Sequence, residues 1–244
     1  MTTVLITGAK SDIGQELISL YLDLKYKLIL CDVPEEAKKL KSIYGKFDTV
    51  QIYEVNFLDD SSVDNLIKKL EMSCFGIDIL VNIAGINILK SFLELDRDTV
   101  NNVLKINVTN SIMLTQAVSK MMIANSIEGS IIFIASQHGL VANYDRVPYC
   151  ISKAVLIQLT KNLALELAAY GIRVNCISPT FILTDKNRHI LESTLYKSTM
   201  LSEIPLQRYC EAKEIASAIE FLTNLSSKNI TGHNLVIDGG WTIK

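Results

Sequence analysis

Tyr149 and Lys153, a tyrosine and a lysine four residues apart, form the pair in this sequence best suited to chemistry. Four residues are about one helical turn, so the two side chains share a face of a helix. An ammonium group beside a tyrosine stabilises the phenolate and lowers the tyrosine pKa. A general acid/base that interconverts a hydroxyl and a carbonyl needs this shift. The same spacing also fits a structural pair, with the tyrosine in the core and the lysine extended to solvent.

Two polar residues upstream favour the chemical interpretation. Ser136 directly follows the apolar run Ser130–Ala135, which has the pattern of a buried strand. Ligands of open α/β sheets bind at the carboxyl ends of strands, so Ser136 is suitably placed for a site with Tyr149. Asn107 lies in a long helical stretch, where a buried amide needs hydrogen-bond partners, and a functional water network is one way to supply them.

A candidate phosphate site follows the first strand-like run, Thr3–Thr7. The turn after it begins with Gly8 and ends with Gly14, and a helical pattern comes next. Free N–H groups and the dipole at the start of a helix bind phosphate, so the segment predicts a dinucleotide site. An ordinary strand-to-helix turn also fits, because the glycine spacing differs from G-x-G-x-x-G.

Asp32 ends the second strand-like run and favours a dinucleotide. A carboxylate there accepts hydrogen bonds from the adenosine ribose hydroxyls and repels a phosphate on that ribose. We therefore predict NAD as the cofactor in preference to NADP. The alternative is that Asp32 merely caps the next turn.

Strand-like runs alternate with amphipathic helical stretches along the chain. The seven runs are Thr3–Thr7, Lys27–Asp32, Thr49–Glu54, Ile77–Asn82, Ser130–Ala135, Ile172–Ser178 and Asn234–Asp238. The clearest helical stretches are Ser61–Met72, Asp98–Asn125, Pro148–Tyr170 and Glu211–Leu225. This alternation predicts an α/β fold with a doubly wound, seven-stranded parallel sheet and helices on both faces, in one domain over residues 1–244. The polar segment 181–205 is long for a connection, and we predict that it is a substrate lid.

Composition excludes several classes of protein. The 244 residues are 49% hydrophobic and 20% charged, with a net charge of −2, which argues against disorder and against a nucleic-acid partner. The apolar runs are too short for a membrane span, and we see no signal peptide, so we expect a cytoplasmic protein. Five scattered cysteines predict neither disulfides nor a metal site. They are Cys31, Cys74, Cys150, Cys176 and Cys210.

The order and spacing of these motifs resemble those of the short-chain dehydrogenases/reductases over essentially the whole chain. The matching residues are Thr7–Gly14, Asp32, Asn82-Ile83-Ala84-Gly85, Asn107, Ser136, Tyr149-Cys150-Ile151-Ser152-Lys153, Asn175, Pro179 and the final stretch Ile230–Gly240. The resemblance implies a Rossmann-type fold, a homotetramer, and an oxidoreductase that acts on a secondary alcohol or a ketone.

The resemblance also implies roles for individual residues. Tyr149 would be the acid/base, Lys153 would bind the nicotinamide ribose, and Ser136 would hydrogen-bond the reacting oxygen. Asn107 would hold a water that links Lys153 to solvent. Cofactor contacts would come from Gly8, Lys10, Ser11, Asp12, Ile13, Gly14, Asp32, Asn56, Phe57, Asn82, Ala84, Gly85, Tyr149, Lys153, Pro179, Ile182 and Thr184.

Four positions depart from the pattern of that family. Asp12 replaces a glycine, and its carboxylate would either weaken pyrophosphate binding or cap the helix. Asn56 stands where an aspartate usually meets adenine, and its amide oxygen can still accept that bond. Ile83 replaces an asparagine, and Thr180 replaces the glycine after Pro179. These changes affect cofactor affinity and local geometry rather than the reaction class.

The substrate loop predicts a small polar substrate. Asn87, Ser136, His138 and Arg146 are the candidate contacts, and their pattern resembles short-chain 3-hydroxybutyrate, sugar-acid and polyol dehydrogenases. In the first of these a basic residue holds the substrate carboxylate. Packing of the loop, or a subunit contact, is the alternative interpretation of His138 and Arg146. Further candidates for this region are Gln137, Asn143, Lys186, Arg188 and His189.

Three other functions compete with this interpretation. An NADPH-dependent 3-oxoacyl-type reductase is disfavoured by Asp32. A catalytically silent dinucleotide-binding regulator would be free to lose Asn107, Ser136, Tyr149 and Lys153, all of which are present. A purely structural α/β domain would bind no cofactor.

Overall fold

The computed structural model describes residues 1–73, 76–184, 187–193 and 199–243, except for the side chain of Ile190. Within these residues, seven parallel strands form one sheet in the order β3-β2-β1-β4-β5-β6-β9. They are β1 (Thr3–Thr7), β2 (Lys27–Asp32), β3 (Val50–Glu54), β4 (Ile79–Asn82), β5 (Ser130–Ile134), β6 (Arg173–Pro179) and β9 (Asn234–Ile237). Two short strands, β7 (Ile182–Leu183) and β8 (Cys210–Glu211), pair separately. The predicted seven-stranded parallel sheet is therefore confirmed.

Helices connect the strands and cover both faces of the sheet. They are α1 (Asp12–Asp23), α2 (Pro34–Tyr44), α3 (Asp60–Met72), α4 (Arg97–Leu104), α5 (Asn110–Ala124), α6 (Val147–Leu167), α7 (Arg188–Leu191) and α8 (Ala212–Thr223). Helices α3, α5 and α6 pack in one apolar core, and α1, α2 and α8 pack in a second. In β1, Leu5 belongs to the first core and its neighbours Val4 and Ile6 to the second, because successive strand residues point to opposite faces.

The helical stretch predicted over Asp98–Asn125 is helical without a gap from Arg97 to Ala124, but it is not α-helical throughout. A π-helical segment, Lys105–Thr109, separates α4 from α5. A π-helical turn holds one residue more than an α-helical turn, so it rotates the side chains that follow, and such turns are frequent at functional sites. Asn107 lies inside this segment and is buried.

The boundaries of α6 agree with the local sequence signals. Pro148 lies in its first turn, where a missing N–H costs nothing. The helix tightens into a 3₁₀ turn over Ala168–Tyr170, and Gly171 then adopts a left-handed φ of 72°. This boundary positions Tyr149 and Lys153 in the first two turns of a helix that begins near the carboxyl end of β5.

The segment 181–205, predicted to be a lid, has its own small apolar core where the structure describes it. Leu191, Ile204 and Tyr209 are buried there, and Phe181 and Trp241 pack against them. Lid movement itself stays a prediction. Among the described residues, none of the helices combines the length and the apolar composition that crossing a bilayer requires.

Candidate active site

A cleft of about 480 Å³ lies at the carboxyl ends of β4, β5 and β6 and is lined by three of the four predicted catalytic residues, Ser136, Tyr149 and Lys153. Its lining comprises Ile13, Ile83, Gly85, Ile86, Asn87, Ile134, Ala135, Ser136, Tyr149, Lys153, Pro179, Thr180, Ile182, Thr184 and Asn187. Most of these residues were singled out by the sequence. Asn187 was not, and Thr180 was noted only as a departure from the family pattern.

Tyr149 is hydrogen-bonded through its side chain to Ser136. Burial raises the pKa of Tyr149, although the bond with Ser136 and the positive charge of Arg146 act in the opposite direction. The prediction that a neighbouring ammonium lowers this pKa overall is therefore wrong for the protein by itself. Desolvation of the phenolate outweighs the favourable charges. Tyr149 is consequently protonated near neutral pH and is ready to donate a proton.

Lys153 lies beneath the tyrosine and is only 4% exposed. Its Nζ is 5.5 Å from the centre of the Tyr149 ring and donates a hydrogen bond to the Ile134 carbonyl oxygen at 2.6 Å. Burial lowers the pKa of Lys153 to about 8. The structural alternative, a lysine extended to solvent, is wrong for this residue. A buried ammonium aimed at a tyrosine and a cleft is costly and points to a functional role.

Asn107 connects the loop after β4 to α6. Its Oδ1 accepts a hydrogen bond from Ile86 N at 2.8 Å, and its Nδ2 donates to the Ile86 carbonyl at 2.9 Å and to Ser152 Oγ at 3.0 Å. A Cβ built on Gly85 would lie 3.2 Å from Asn107 Oδ1 and 3.6 Å from Lys153 Nζ. Asn107 and Lys153 therefore flank the same glycine, and their amide and ammonium groups are neighbours.

The turn between β1 and α1 has the geometry of a phosphate-binding turn. Gly8 has a φ of +63°, and a Cβ there would lie 2.9 Å from the backbone nitrogen of Ala84. A Cβ on Gly14 would lie 2.4 Å from the Ala9 carbonyl oxygen. Both positions require glycine, so the turn stays close to the loop after β4. The N-terminus of a helix that follows such a turn is a site at which phosphate binds.

Ser11, and not Asp12, caps α1. Ser11 Oγ accepts a hydrogen bond from Gly14 N at 3.2 Å, and Asp12 is the first residue of the helix. The hypothesis that Asp12 is the cap is therefore wrong. A carboxylate in the first turn still interacts favourably with the helix dipole.

Asp32 lies in a second cleft, of about 290 Å³, that adjoins the glycine turn. The lining residues are Gly8, Lys10, Ser11, Asp32, Val33, Glu36, Val55, Asn56, Phe57, Ile83, Ala84, Gly85, Ile86 and Ile106. Asp32 Oδ2 accepts a hydrogen bond from Lys10 N and Oδ1 accepts one from Val33 N, each at 2.8 Å. The carboxylate thus orders the local backbone, as the capping alternative holds, and it also lines the cleft.

Glu36 is a second carboxylate in this cleft that sequence reasoning missed. It lies in the first turn of α2, four residues after Asp32. The signal was available, because a helix that starts directly after β2 returns its first turn to the strand end. Two carboxylates, a tight glycine turn and a helix N-terminus fit the adenosine and pyrophosphate of a pyridine nucleotide.

Asn82 and Asn56 differ in how directly they meet the clefts. Asn82 is buried and donates from Nδ2 to Thr115 Oγ1 at 3.1 Å, and it lines neither cleft. Asn56 lines the Asp32 cleft, and its Oδ1 accepts a hydrogen bond from Leu58 N at 3.0 Å. We therefore infer that Asn82 acts behind the cofactor site rather than within it.

The structure places the predicted substrate residues unevenly. Asn87 and Ser136 line the cleft beside Tyr149. His138 is buried next to them, with its Nε2 2.9 Å from Asn143 Nδ2, and burial together with the charge of Arg146 lowers its pKa to about 4. His138 is therefore neutral at neutral pH. Of the predicted substrate residues, Arg146 is then the positive charge that could hold a substrate carboxylate.

Arg146 does not line the cleft. Its Nε donates to the Tyr144 carbonyl oxygen at 3.3 Å, although its charge still acts on His138 and Tyr149. In the lid, Arg188 is exposed and pairs with Glu192 at 3.2 Å, and His189 is also exposed. Lys186 lies outside the described residues.

Comparisons with known proteins agree with this architecture. A family model described as enoyl-(acyl carrier protein) reductase matches residues 8–242. An NAD-dependent glycerol dehydrogenase of Listeria innocua is 32% identical over 98% of this chain and 93% of its own length. A 3-oxoacyl-[acyl-carrier-protein] reductase of Thermotoga maritima is 33% identical over 98% of this chain and 97% of its own.

A solved structure is also similar throughout. A 4-hydroxyisoleucine dehydrogenase complexed with NADH has a TM-score of 0.95 and 32% identity, with complete coverage of both chains. A seven-stranded doubly wound sheet, a glycine turn and a half-buried tyrosine beside a buried lysine define a nucleotide-dependent oxidoreductase. The chain belongs to the short-chain dehydrogenase/reductase family.

Proposed function

We propose that this protein is an NAD(H)-dependent oxidoreductase that interconverts a secondary alcohol and a ketone, with Tyr149 as the acid/base. The observation that supports this most is the joint position of Tyr149, Ser136 and the buried Lys153 in one cleft. The cleft beside Asp32 and Glu36 supports NAD as the cofactor.

Each residue has a separate chemical task. NAD(H), when bound, supplies or accepts the hydride. Tyr149 donates its proton to the carbonyl oxygen in reduction and removes the proton from the alcohol in oxidation. Ser136, hydrogen-bonded to Tyr149, holds the reacting oxygen, and the Lys153 ammonium stabilises the phenolate that proton transfer leaves behind. Asn107 positions the Gly85 loop and α6 and holds the water that links Lys153 to solvent.

A small polyol or sugar is the substrate class that we favour. His138 is neutral and Arg146 lies outside the lining of the cleft, so among the described lining residues the positive charge is that of Lys153, which serves Tyr149 and the cofactor. The similarity to a glycerol dehydrogenase agrees with this choice. A small hydroxy acid is the second candidate, because the charge of Arg146 reaches both His138 and Tyr149.

The relatives also include a 3-oxoacyl reductase, which is the competing activity. Asp32 and Glu36 disfavour the phosphate of NADPH, and this argues against that alternative.

We also propose a homotetramer, since exposed apolar side chains on α5 and α6 remain available for a subunit interface. They are Met113, Ile151, Val155 and Leu165.

A rate screen tests the proposed activity and substrate class. The purified protein is given NAD⁺ together with polyols, sugars or hydroxy acids, and NADH formation is followed by absorbance. We expect turnover with polyols or sugars. Turnover confined to hydroxy acids would favour the second candidate, and turnover confined to 3-oxoacyl substrates with NADPH would refute the proposal.

Cofactor choice gives a further prediction. The unmodified protein should bind NADH at least about tenfold more tightly than NADPH, because two carboxylates face the ribose phosphate. Asp32→Ala should lower the ratio of the NADPH and NADH dissociation constants by about tenfold. Both constants are measured by quenching of protein fluorescence on titration. Glu35→Ala is the matched control, since Glu35 is a nearby exposed carboxylate on α2 that lines neither cleft. Equal affinities in the unmodified protein would show that Asp32 does not select the cofactor.

A further inference from the structure

Thr180 carries a buried hydroxyl that lacks a partner. The residue is 8% exposed, and among the described residues no group forms a hydrogen bond with its Oγ1. Its backbone N–H is already committed to the Ile237 carbonyl oxygen at 3.0 Å. An unpaired buried hydroxyl destabilises a folded protein, so a ligand that pairs with it is the simplest account of its presence.

Thr180 lies between the active-site cleft and a second cavity of about 430 Å³. Thr180 follows β6 directly and lines the same cleft as Ser136, Tyr149 and Lys153. A glycine at this position, as in the family pattern, would leave the cleft without any side-chain polar group there. Thr180 therefore adds to the lining of this cleft a hydrogen-bonding group that the glycine of the family pattern would not supply.

The neighbouring residue shows on which side of the cleft Thr180 lies. The Phe181 ring packs against the His138 ring with centroids 5.7 Å apart, and His138 in turn lies 6.4 Å from the Tyr149 ring. This chain of contacts places Thr180 beside the loop that carries the candidate substrate residues. Asp32 and the glycine turn lie at the other end of the combined site.

We propose that the Thr180 hydroxyl hydrogen-bonds a second oxygen of the substrate, on the carbon next to the one that is oxidised. The inference rests on the proposed function and makes it narrower. The enzyme would select vicinal diols and their hydroxyketones over simple secondary alcohols. Thr180 would thus be a residue that determines specificity, acting on substrate recognition and not on proton transfer.

Two substrates that differ by one hydroxyl test the idea. Propylene glycol and isopropanol are compared as kcat/KM with saturating NAD⁺, and hydroxyacetone and acetone are compared in the reverse direction with NADH. We expect Thr180→Val to lower kcat/KM for the diol by about tenfold, the value of one good neutral hydrogen bond. The value for isopropanol should change less than about twofold. Thr180→Ser is the matched control, because it keeps the hydroxyl and should keep the preference.

The folded state and the cofactor affinity are measured for the same variants. Valine has nearly the shape of threonine and removes an unpaired hydroxyl, so Thr180→Val should unfold at the same temperature or a higher one. An equal effect on both alcohols, a wild type that prefers isopropanol, or a matching loss of NADH affinity would overturn the proposal. No turnover of any of the four compounds, in either direction, would overturn the proposed function for this substrate class and this inference with it.

Discussion

Tyr149→Phe should lower turnover by about 10²–10⁴-fold and change the affinity for NADH by less than about twofold. Phenylalanine keeps the ring and its edge contact with His138, so the packing of the loop is preserved. Only the hydroxyl that is bonded to Ser136 is lost. The measurement is kcat with the best polyol of the screen, together with an NADH titration of each protein.

A second tyrosine, Tyr144 in the loop that precedes α6, provides the control for this variant. Tyr144 is 89% exposed and lies outside the cleft, so Tyr144→Phe should leave turnover near that of the unmodified protein. Turnover retained within about threefold in Tyr149→Phe would rule out Tyr149 as the acid/base. A parallel loss of NADH affinity would instead indicate a collapsed site.

Lys153→Met should reduce turnover by about 10²-fold or more and also weaken NADH binding, because one ammonium serves both the phenolate and the cofactor ribose. The stability of the Lys153→Met protein, in contrast, should not fall. A pKa lowered from its ordinary value of 10.5 to about 8 means that burying the charge costs about 3 kcal/mol below pH 8. Methionine fills similar space without that cost, so the variant should be at least as stable as the wild type near neutral pH.

The pH dependence of stability separates this effect from other changes. Between pH 8 and pH 10.5 the unfolded chain holds a proton on Lys153 that the folded protein has released, so the folded state gains stability as pH rises. The free energy of unfolding of the wild type, relative to Lys153→Met, should therefore increase over this range. Lys161→Met, at an exposed position of α6, is the control for replacing a lysine of this helix by methionine. A pH-independent difference for Lys153→Met would contradict a buried ammonium.

The fold was predictable because its signals are local and repeated. Apolar runs alternate with amphipathic helices, and β1 and β2 begin and end at the predicted residues. The spacing of Tyr149 and Lys153 predicted a shared helix face, and the end of β2 predicted the position of Asp32. Each of these predictions depends only on the helical or strand period and on where an element ends.

Other features depend on packing and could not be predicted in this way. The π-helical segment at Asn107 has no local signature, since a π turn forms where tertiary contacts compensate for its poorer geometry. The direction of the Tyr149 pKa shift required knowledge of how deeply the ring is buried. That the Thr180 hydroxyl has no hydrogen-bond partner among the described residues can be known only from the positions of its neighbours.

Glu36 and Asn187 show the same limit in the clefts. Both were absent from the predicted sites, and both line a cleft because an adjacent element returns toward a strand end. Asn187 accepts a hydrogen bond from Thr184 N at 2.8 Å and donates one to the Ile182 carbonyl oxygen at 2.8 Å. It thereby positions Ile182 and Thr184, two of the residues expected to contact the cofactor, a relation that spacing alone does not reveal.

Transfer of deuterium from a substrate to the cofactor is the direct test of hydride exchange between a secondary alcohol and NAD. The best polyol of the screen is labelled with deuterium at its secondary carbinol carbon and incubated with the protein and NAD⁺. The mass of the NADH that forms is then measured by mass spectrometry. If the protein transfers a hydride with Tyr149 as the acid/base, we expect NADH that carries the deuterium. The wild type should form it rapidly, and Tyr149→Phe far more slowly. A protein that binds NADH but transfers no deuterium from any alcohol of the screen would contradict the account, and a silent nucleotide-binding protein would then explain the fold.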